Sequence, residues 1–199
     1  PGSAFKPLLY ACAIQNGYHP ASMIEDREQT FYFAGTEWTP ENFEGRYFDM
    51  VTLHEALAES LNAGTIWLLQ HLGRSQTAGI LTLHRFCRRT FDLRLRKPDL
   101  TIALGSEEVT PLELAKAYAV FASGGMLVEP FAVTKVKEQK RTKNQEPRVL
   151  YEHRLRWRRV MDAEHARLMT CLLEGVVDYG TGDDVKKQCD VPLVGKTGT

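Results

Sequence analysis

Three short motifs combine nucleophilic, basic and polar side chains at spacings that suit acyl transfer. In chain order they are S-x-x-K with Ser3 and Lys6, S-x-N with Ser60 and Asn62, and K-T-G-T at residues 196–199. Residues three positions apart share a helix face, so Lys6 can reach the Ser3 hydroxyl one turn back. The first motif therefore predicts a serine nucleophile with a lysine as its base.

The proposed base works only if its pKa is lowered. A lysine takes a proton from a serine when burial and a nearby positive charge populate its neutral amine. Lys196 can supply that charge to Lys6. Ser3 is also predicted at a helix start, where the helix dipole favours developing negative charge.

Each motif alone has an ordinary structural explanation. Ser3 would cap a helix, Lys6 would be solvated, the S-x-N motif would be a polar helix junction, and K-T-G-T would be a frayed tail. A glycine flanked by hydroxyls on a short strand, as Gly198 is predicted to be, instead suits a backbone that approaches a ligand closely. The three motifs together and in this order are specific, because the set is typical of β-lactamases and penicillin-binding proteins.

Local signals place the first two motifs at helix ends. A helical pattern follows Ser3 and ends at Gly17. The T-x-x-E pattern at residues 52–55 is a capping box that starts a helix running to about residue 60. A second helical stretch follows and stops at Gly73, so the S-x-N motif falls at a junction between two helices.

The rest of the chain is predicted as a mixture of loops, helices and short strands. Residues 17–51 are irregular and rich in aromatics, which indicates loops with short extended pieces. A second capping box starts a helix at residues 110–113, and Asp162 is predicted to cap another helix. Strands are predicted at residues 126–128, 133–136 and 193–199, with a charged, turn-rich segment over 137–148.

Composition excludes several classes of function. The 25 Lys and Arg balance the 25 Asp and Glu, so no positive field would attract nucleic acid, and we expect no such partner. Apolar runs fall short of the roughly 20 residues that span a bilayer, and the histidines form no H-E-x-x-H zinc motif. The cysteines lack C-x-x-C spacing, which leaves buried thiols or an incidental bridge as interpretations; they are Cys12, Cys87, Cys171 and Cys189.

Further segments resemble the penicillin-binding proteins, so the resemblance covers nearly the whole chain. P-G-S-A-F-K-P at residues 1–7, the region 51–62 with V-T-L, A-L and S-L-N, and G-S-E-E-V-T-P-L-E at 105–113 are similar to segments of that family. T-P-E-N-F at 39–43 and G-T-G at 180–182 are similar to the bifunctional, class A members rather than to the monofunctional class B.

The resemblance implies a fold and a nucleophilic mechanism. The fold would be the α+β penicillin-binding-protein and serine β-lactamase type, with this chain forming mostly the helical subdomain plus the strand that bears K-T-G-T. Ser3 would attack the carbonyl between the two terminal D-alanines of a peptidoglycan stem peptide, with Lys6 as the acylation base. Ser60, Asn62 and Lys196 would relay protons and orient the peptide.

The same resemblance implies how substrates and inhibitors bind. Thr197 and Thr199, on either side of Gly198, would hold the terminal carboxylate. The N–H groups of Ser3 and Thr199 would form the oxyanion hole. An amine acceptor would resolve the ester, a β-lactam would acylate Ser3 in place of the peptide, and no metal or organic cofactor would be needed.

The resemblance also implies a larger context. Residues 1–199 would be part of a transpeptidase domain whose parent carries a glycosyltransferase domain and a membrane anchor outside this chain. The parent would act on the extracytoplasmic, periplasmic side of the bacterial inner membrane. We expect the isolated chain to be poorly active.

Two alternatives use the same nucleophile. A serine β-lactamase needs a further base to activate a deacylating water; Glu113 is faintly similar to such an acid, although Ala115 replaces the expected asparagine and Glu113 is explained as a helix cap. A β-lactam-binding sensor would be acylated without turnover. Asn62 disfavours the sensor, because comparable sensors usually carry valine at that place.

Overall fold

The computed structural model describes residues 1–33, 36–139, 147–188 and 191–198. Helix accounts for 46% of the chain and strand for 14%. The predicted mixture of helix and strand, with helix in excess, is therefore confirmed.

Helices form the body of the molecule. A 3₁₀ turn over Gly2–Phe5 runs directly into α1 (Lys6–Gln15). The further helices are α2 (Leu53–Ala58), α3 (Asn62–His71), α4 (Gln76–Thr90), α5 (Pro111–Ala122), α6 (Ala163–Asp178) and α7 (Asp183–Lys186), with 3₁₀ turns at Phe43–Gly45 and Leu100–Leu104. The junction predicted between α2 and α3 is confirmed.

The strands form short antiparallel pairs. The pairs are β1 (Met23–Asp26) with β4 (Asp49–Thr52), β2 (Phe31–Phe33) with β3 (Thr36–Trp38), β5 (Met126–Val128) with β8 (Trp157–Arg159), and β6 (Lys135–Lys137) with β7 (Val149–Glu152). The strand predicted at residues 126–128 is confirmed, and the one at 133–136 lies slightly later, as β6. The charged segment 137–148 connects β6 to β7, and its residues 140–146 lie outside the described ranges.

The strand predicted at residues 193–199 is wrong for residues 193–198, which form no ladder. A strand needs a neighbour for its N–H and C=O groups, and no described segment pairs with this one. Its polar contacts come instead from the side chains of Lys196 and Thr197.

The core surrounds α1. Every residue of this helix from Lys6 to Ile14 is buried, which is the pattern of a helix enclosed on all sides. It packs against α4 and α6. Because the motif lysine is the first residue of this central helix, its side chain begins inside the core.

The three helix starts predicted at Thr52, Thr110 and Asp162 are confirmed, and the predicted side-chain cap forms in two of them. Thr52 and Thr110 each accept the N–H of the glutamate three residues later, and that glutamate accepts the threonine N–H in return. Asp162 is the residue before α6 but makes no side-chain cap hydrogen bond.

Candidate active site

Ser3 lies in the 3₁₀ turn before α1, and its neighbours are held on both sides. The Gly2 N–H donates to the Gly105 carbonyl at 3.2 Å, and the Tyr118 hydroxyl donates to the Ala4 carbonyl at 2.8 Å. Gly105 has a φ of 77°, and a side chain there would collide with the Gly2 carbonyl. Ser3 is thereby presented to a cleft of about 760 Å³.

The Lys6 ammonium is fully buried and held by the S-x-N junction. Its Nζ donates to Asn62 Oδ1 and to the Ser60 carbonyl, both at 2.7 Å. Longer hydrogen bonds reach Ser60 Oγ at 3.3 Å and the Leu61 carbonyl at 3.4 Å. The first two motifs, far apart in sequence, therefore meet at one nitrogen atom.

The predicted reach of Lys6 to the Ser3 hydroxyl is not made in this structure. All four hydrogen bonds of Lys6 among the described residues go to the junction, which offers the ammonium better acceptors in its carbonyl and amide oxygens. Hydrogen bonds of catalytic groups are often long without substrate and shorten when it binds. Ser3 and Ser60 nevertheless line the same cleft.

Ser60 has a left-handed backbone, with a φ of 56°. This conformation is disfavoured for residues other than glycine and is found mainly where the surrounding structure enforces it. At this turn the Ser60 carbonyl and hydroxyl both face the ammonium of Lys6.

The environment tunes both lysines of the site. Burial, followed by the charge of Lys196, lowers the pKa of Lys6 to about 7, against an opposing effect of Asp26. Burial lowers the pKa of Lys196 to about 8. A substantial fraction of Lys6 is then a neutral amine near pH 7, which is the state that a base requires.

Lys196, Thr197 and Gly198 reach the same region. Lys196 Nζ donates to Thr197 Oγ1 at 3.0 Å, and Thr197 lines the cleft. Gly198 lies beside Ala4, the residue after the nucleophile, since a Cβ on Gly198 would be 3.5 Å from the Ala4 Cβ. Thr199 lies outside the described residues, so the oxyanion hole that includes its N–H stays a prediction.

Thr181 was missed by the sequence analysis. Its Oγ1 is 2.8 Å from Thr197 Oγ1 and accepts from Lys196 Nζ at 3.4 Å. Its N–H donates to the Ala58 carbonyl at 3.0 Å, and a side chain on Gly180 would collide with that carbonyl. The available signal was a threonine between two glycines, in the segment 180–182 that is similar to class A members.

The remaining wall of the cleft comes from residues 41–48 and Glu59. Phe43 is 87% exposed and Phe48 is 53% exposed. The cleft thus places apolar aromatic surface beside the hydroxyl and amide groups of the motifs, a combination that suits a peptide or a small acylating molecule.

Glu113 serves as the predicted cap. It accepts the Thr110 N–H at 2.8 Å, an interaction that lowers its pKa, and it lines a different depression from the one that contains Ser3. This position gives no support to a water-activating role in a β-lactamase.

Other sequence expectations concern cysteines, metals and membrane spans. Cys12 and Cys87 are buried free thiols, and Cys171 is an exposed one; Cys189 lies outside the described residues. Within the described ranges, no cluster of three or more His, Cys, Asp or Glu side chains is arranged to hold a metal ion. No helix there is long and apolar enough to cross a membrane.

The sequence of this chain matches a known protein family over its whole length. The family model for the penicillin binding protein transpeptidase domain matches residues 1–199. The chain belongs to this transpeptidase family.

The relatives that it matches are class A penicillin-binding proteins, as predicted. Penicillin-binding protein 1A of Neisseria lactamica is 32% identical over 204 residues, which cover all of this chain and 25% of the relative. The protein of the same name from Pseudomonas aeruginosa is 28% identical and is covered to 29%. The chain therefore spans about a quarter of the length of these relatives.

Solved structures confirm the predicted fold. Penicillin-binding protein 1A from Haemophilus influenzae superposes with a TM-score of 0.88 at 26% identity, over all of this chain and 34% of that one. Penicillin-binding protein A from Mycobacterium tuberculosis, solved as an imipenem acyl-enzyme complex, superposes with a TM-score of 0.76 at 22% identity, over all of this chain and 48% of that one.

Proposed function

We propose that this chain carries the acyl-transfer centre of a bacterial D,D-transpeptidase that cross-links peptidoglycan stem peptides and is acylated by β-lactams. The observation that carries the proposal is the buried Lys6, with its lowered pKa, held by Ser60 and Asn62 at the cleft that Ser3 lines. A penicillin-binding protein with this fold is known as an imipenem acyl-enzyme complex, which supports acylation as the reaction type.

In the proposed reaction, Ser3 Oγ attacks the carbonyl carbon between the terminal D-alanines while neutral Lys6 accepts its proton. The tetrahedral intermediate collapses, the C–N bond breaks, and D-alanine leaves with a proton returned through Lys6 and Ser60. The amine of a neighbouring stem peptide then attacks the ester and releases Ser3. A β-lactam follows the first half of this path, because its amide carbonyl takes the place of the peptide carbonyl.

The other motif residues would bind the substrate. Asn62 would orient the peptide, and Lys196 would keep the pKa of Lys6 low. Thr197, together with Thr199, would hold the terminal carboxylate of the donor peptide, with Gly198 allowing its close approach.

We further propose that residues 1–199 are one part of a transpeptidase domain in a longer, membrane-anchored class A protein that acts on the extracytoplasmic side of the bacterial inner membrane. The support is the match to class A relatives four times as long.

The test is covalent labelling of the full-length protein with a fluorescent penicillin. Ser3→Ala should eliminate the label, and mass spectrometry of the wild-type protein should place the adduct on Ser3. Ser75→Ala is the matched control, since Ser75 also stands at a helix start but does not line the cleft. Labelling of Ser3→Ala at the wild-type rate would end the proposal.

A further inference from the structure

A buried carboxylate lies next to the S-x-N junction without a role in the reaction proposed above. Asp26, the last residue of β1, is 0% exposed. It accepts hydrogen bonds from Asn42 Nδ2 at 2.8 and 2.9 Å, from the Gly64 N–H at 3.0 Å and from the Phe48 N–H at 3.1 Å. Among the described residues it has no ion-pair partner, so these neutral donors alone offset the cost of burying it.

Asn42 connects Asp26 to the first turn of α3 through hydrogen bonds. Leu61, the residue before the helix, has no side chain that can cap it, and the first N–H groups of a helix need outside acceptors. Asn42 Oδ1 supplies one, accepting from the Asn62 N–H at 2.6 Å and from the Ala63 N–H at 3.1 Å. Its Nδ2 is meanwhile fixed by Asp26, so the amide has one orientation.

Glu41, the residue before Asn42, fixes the side chain of Asn62. Asn62 Nδ2 donates to the Glu41 carbonyl at 2.7 Å. With that end of the amide engaged, Oδ1 is the end that faces Lys6. Residues 41 and 42 therefore hold both the backbone and the side chain of Asn62.

We propose that Asp26 and Asn42 are positioning residues for acyl transfer, which set the first turn of α3 so that Asn62 and the Ser60 carbonyl engage Lys6. The proposal rests on the proposed function. It assigns to Asp26 a second, electrostatic effect: its negative charge opposes the effect of Lys196 on the pKa of Lys6. The other charged groups that line the cleft are exposed; they are Glu41, Glu44, Arg46 and Glu59.

The experiment measures the rate constant for acylation by a fluorescent penicillin, as a function of pH, in the full-length protein. Asp26→Asn should lower the maximal rate constant at least about tenfold, because Asn42 then loses the acceptor that fixes it. A tenfold change in rate corresponds to about 1.4 kcal/mol in the activation free energy. Loss of the negative charge should also move the acidic limb of the profile to lower pH, because less free energy then stabilises protonated Lys6.

Glu107→Gln is the matched control. Glu107 is another buried carboxylate, 4% exposed, which accepts the N–H groups of Arg96 and Lys97 and lines a different depression from the cleft of Ser3. This variant should keep the wild-type rate constant and the wild-type limb. The end point of labelling counts the folded molecules, so the rate constant reports the site and not the amount of folded protein.

The inference would be overturned if Asp26→Asn had the same acylation rate constant, and the same position of the acidic limb of the pH profile, as Glu107→Gln. If Asp26→Asn does not fold, Asn42→Ala decides: a rate constant at least about tenfold below the control supports the inference, and an unchanged one contradicts it. Wild-type protein that takes no label on Ser3 would instead refute the proposed function, so the two failures are distinguishable.

Discussion

The ammonium of Lys6 lies 2.7 Å from Oδ1 of Asn62, a residue 56 positions later in the chain. All the acceptors that this ammonium has among the described residues are neutral oxygens, from amide, carbonyl and hydroxyl groups. Lys6 can therefore give up its proton without leaving an unpaired carboxylate beside it. A direct ion pair would have raised the pKa of the lysine and held it protonated.

Replacing Lys6 by Met should slow acylation by about 10²–10⁴-fold, the usual contribution of a general base. Met is also a good helix former and keeps most of the buried volume. The measurement is the rate of labelling by a fluorescent penicillin. Lys116→Met is the control, because Lys116 is also partly buried on a helix but pairs with Asp92 away from the cleft. Normal acylation by Lys6→Met would assign the base elsewhere.

The same variant should change how stability depends on pH. The pKa of Lys6 falls from 10.5 to about 7 on folding, so between these values the unfolded state binds more protons and the stability of the wild type rises with pH. Lys6→Met should lack this increment. If the melting temperatures of the wild type and of Lys6→Met changed by the same amount from pH 7 to 10, the lowered pKa of Lys6 would be contradicted.

Lys196→Met should move the acidic limb of the acylation profile to higher pH. Lys196 lowers the pKa of Lys6 by its positive charge, so its removal should raise that pKa and require more base to free the amine. The shift is opposite to the one expected for Asp26→Asn. Lys196→Arg keeps the charge and should leave the limb in place, whatever happens to the maximal rate.

Thr181→Val should reduce the acylation rate by about 2–10-fold, corresponding to one ordinary hydrogen bond. Valine keeps the shape of threonine and removes the hydroxyl that contacts Thr197 and Lys196. Thr170→Val is the matched control, since the Thr170 hydroxyl donates to the Ala166 carbonyl within α6. Equal rates for the two variants would show that Thr181 has no part in the site.

The penicilloyl adduct on Ser3 should persist for many minutes, because the acids that line the cleft, Glu41, Glu44 and Glu59, are exposed to solvent, whereas activation of a deacylating water needs a base held in a fixed position. Glu113 is occupied as the cap of α5. Mass spectrometry at successive times measures the lifetime of the adduct. Hydrolysis within seconds would favour the β-lactamase alternative.

Local signals in the sequence were enough for the helix starts and for the junction that holds Ser60. The capping boxes at Thr52 and Thr110 involve only residues three apart, and the structure contains both. Helix α4 was overlooked although Ile80, Leu83 and Cys87 form a buried stripe at helical spacing. That pattern was available in the sequence.

The sequence could not reveal contacts between distant segments. Asn42 caps α3 from 20 residues away, and nothing in the spacing of the two residues indicates it. The same holds for the contact of Thr181 with Ala58. The strand predicted for residues 193–199 failed for a related reason, since a strand depends on its neighbours as much as on its own residues.

At Ser60, with its left-handed backbone, the thermal stability of the fold and the acylation reaction favour different residues. Glycine, or to a lesser degree asparagine, would relieve a conformational strain of about 1–3 kcal/mol. Selection for a more heat-resistant chain would therefore replace this serine readily if nothing else depended on it. Libraries screened for thermal resistance alone should accumulate Ser60→Gly, whereas libraries screened for β-lactam capture should retain the hydroxyl.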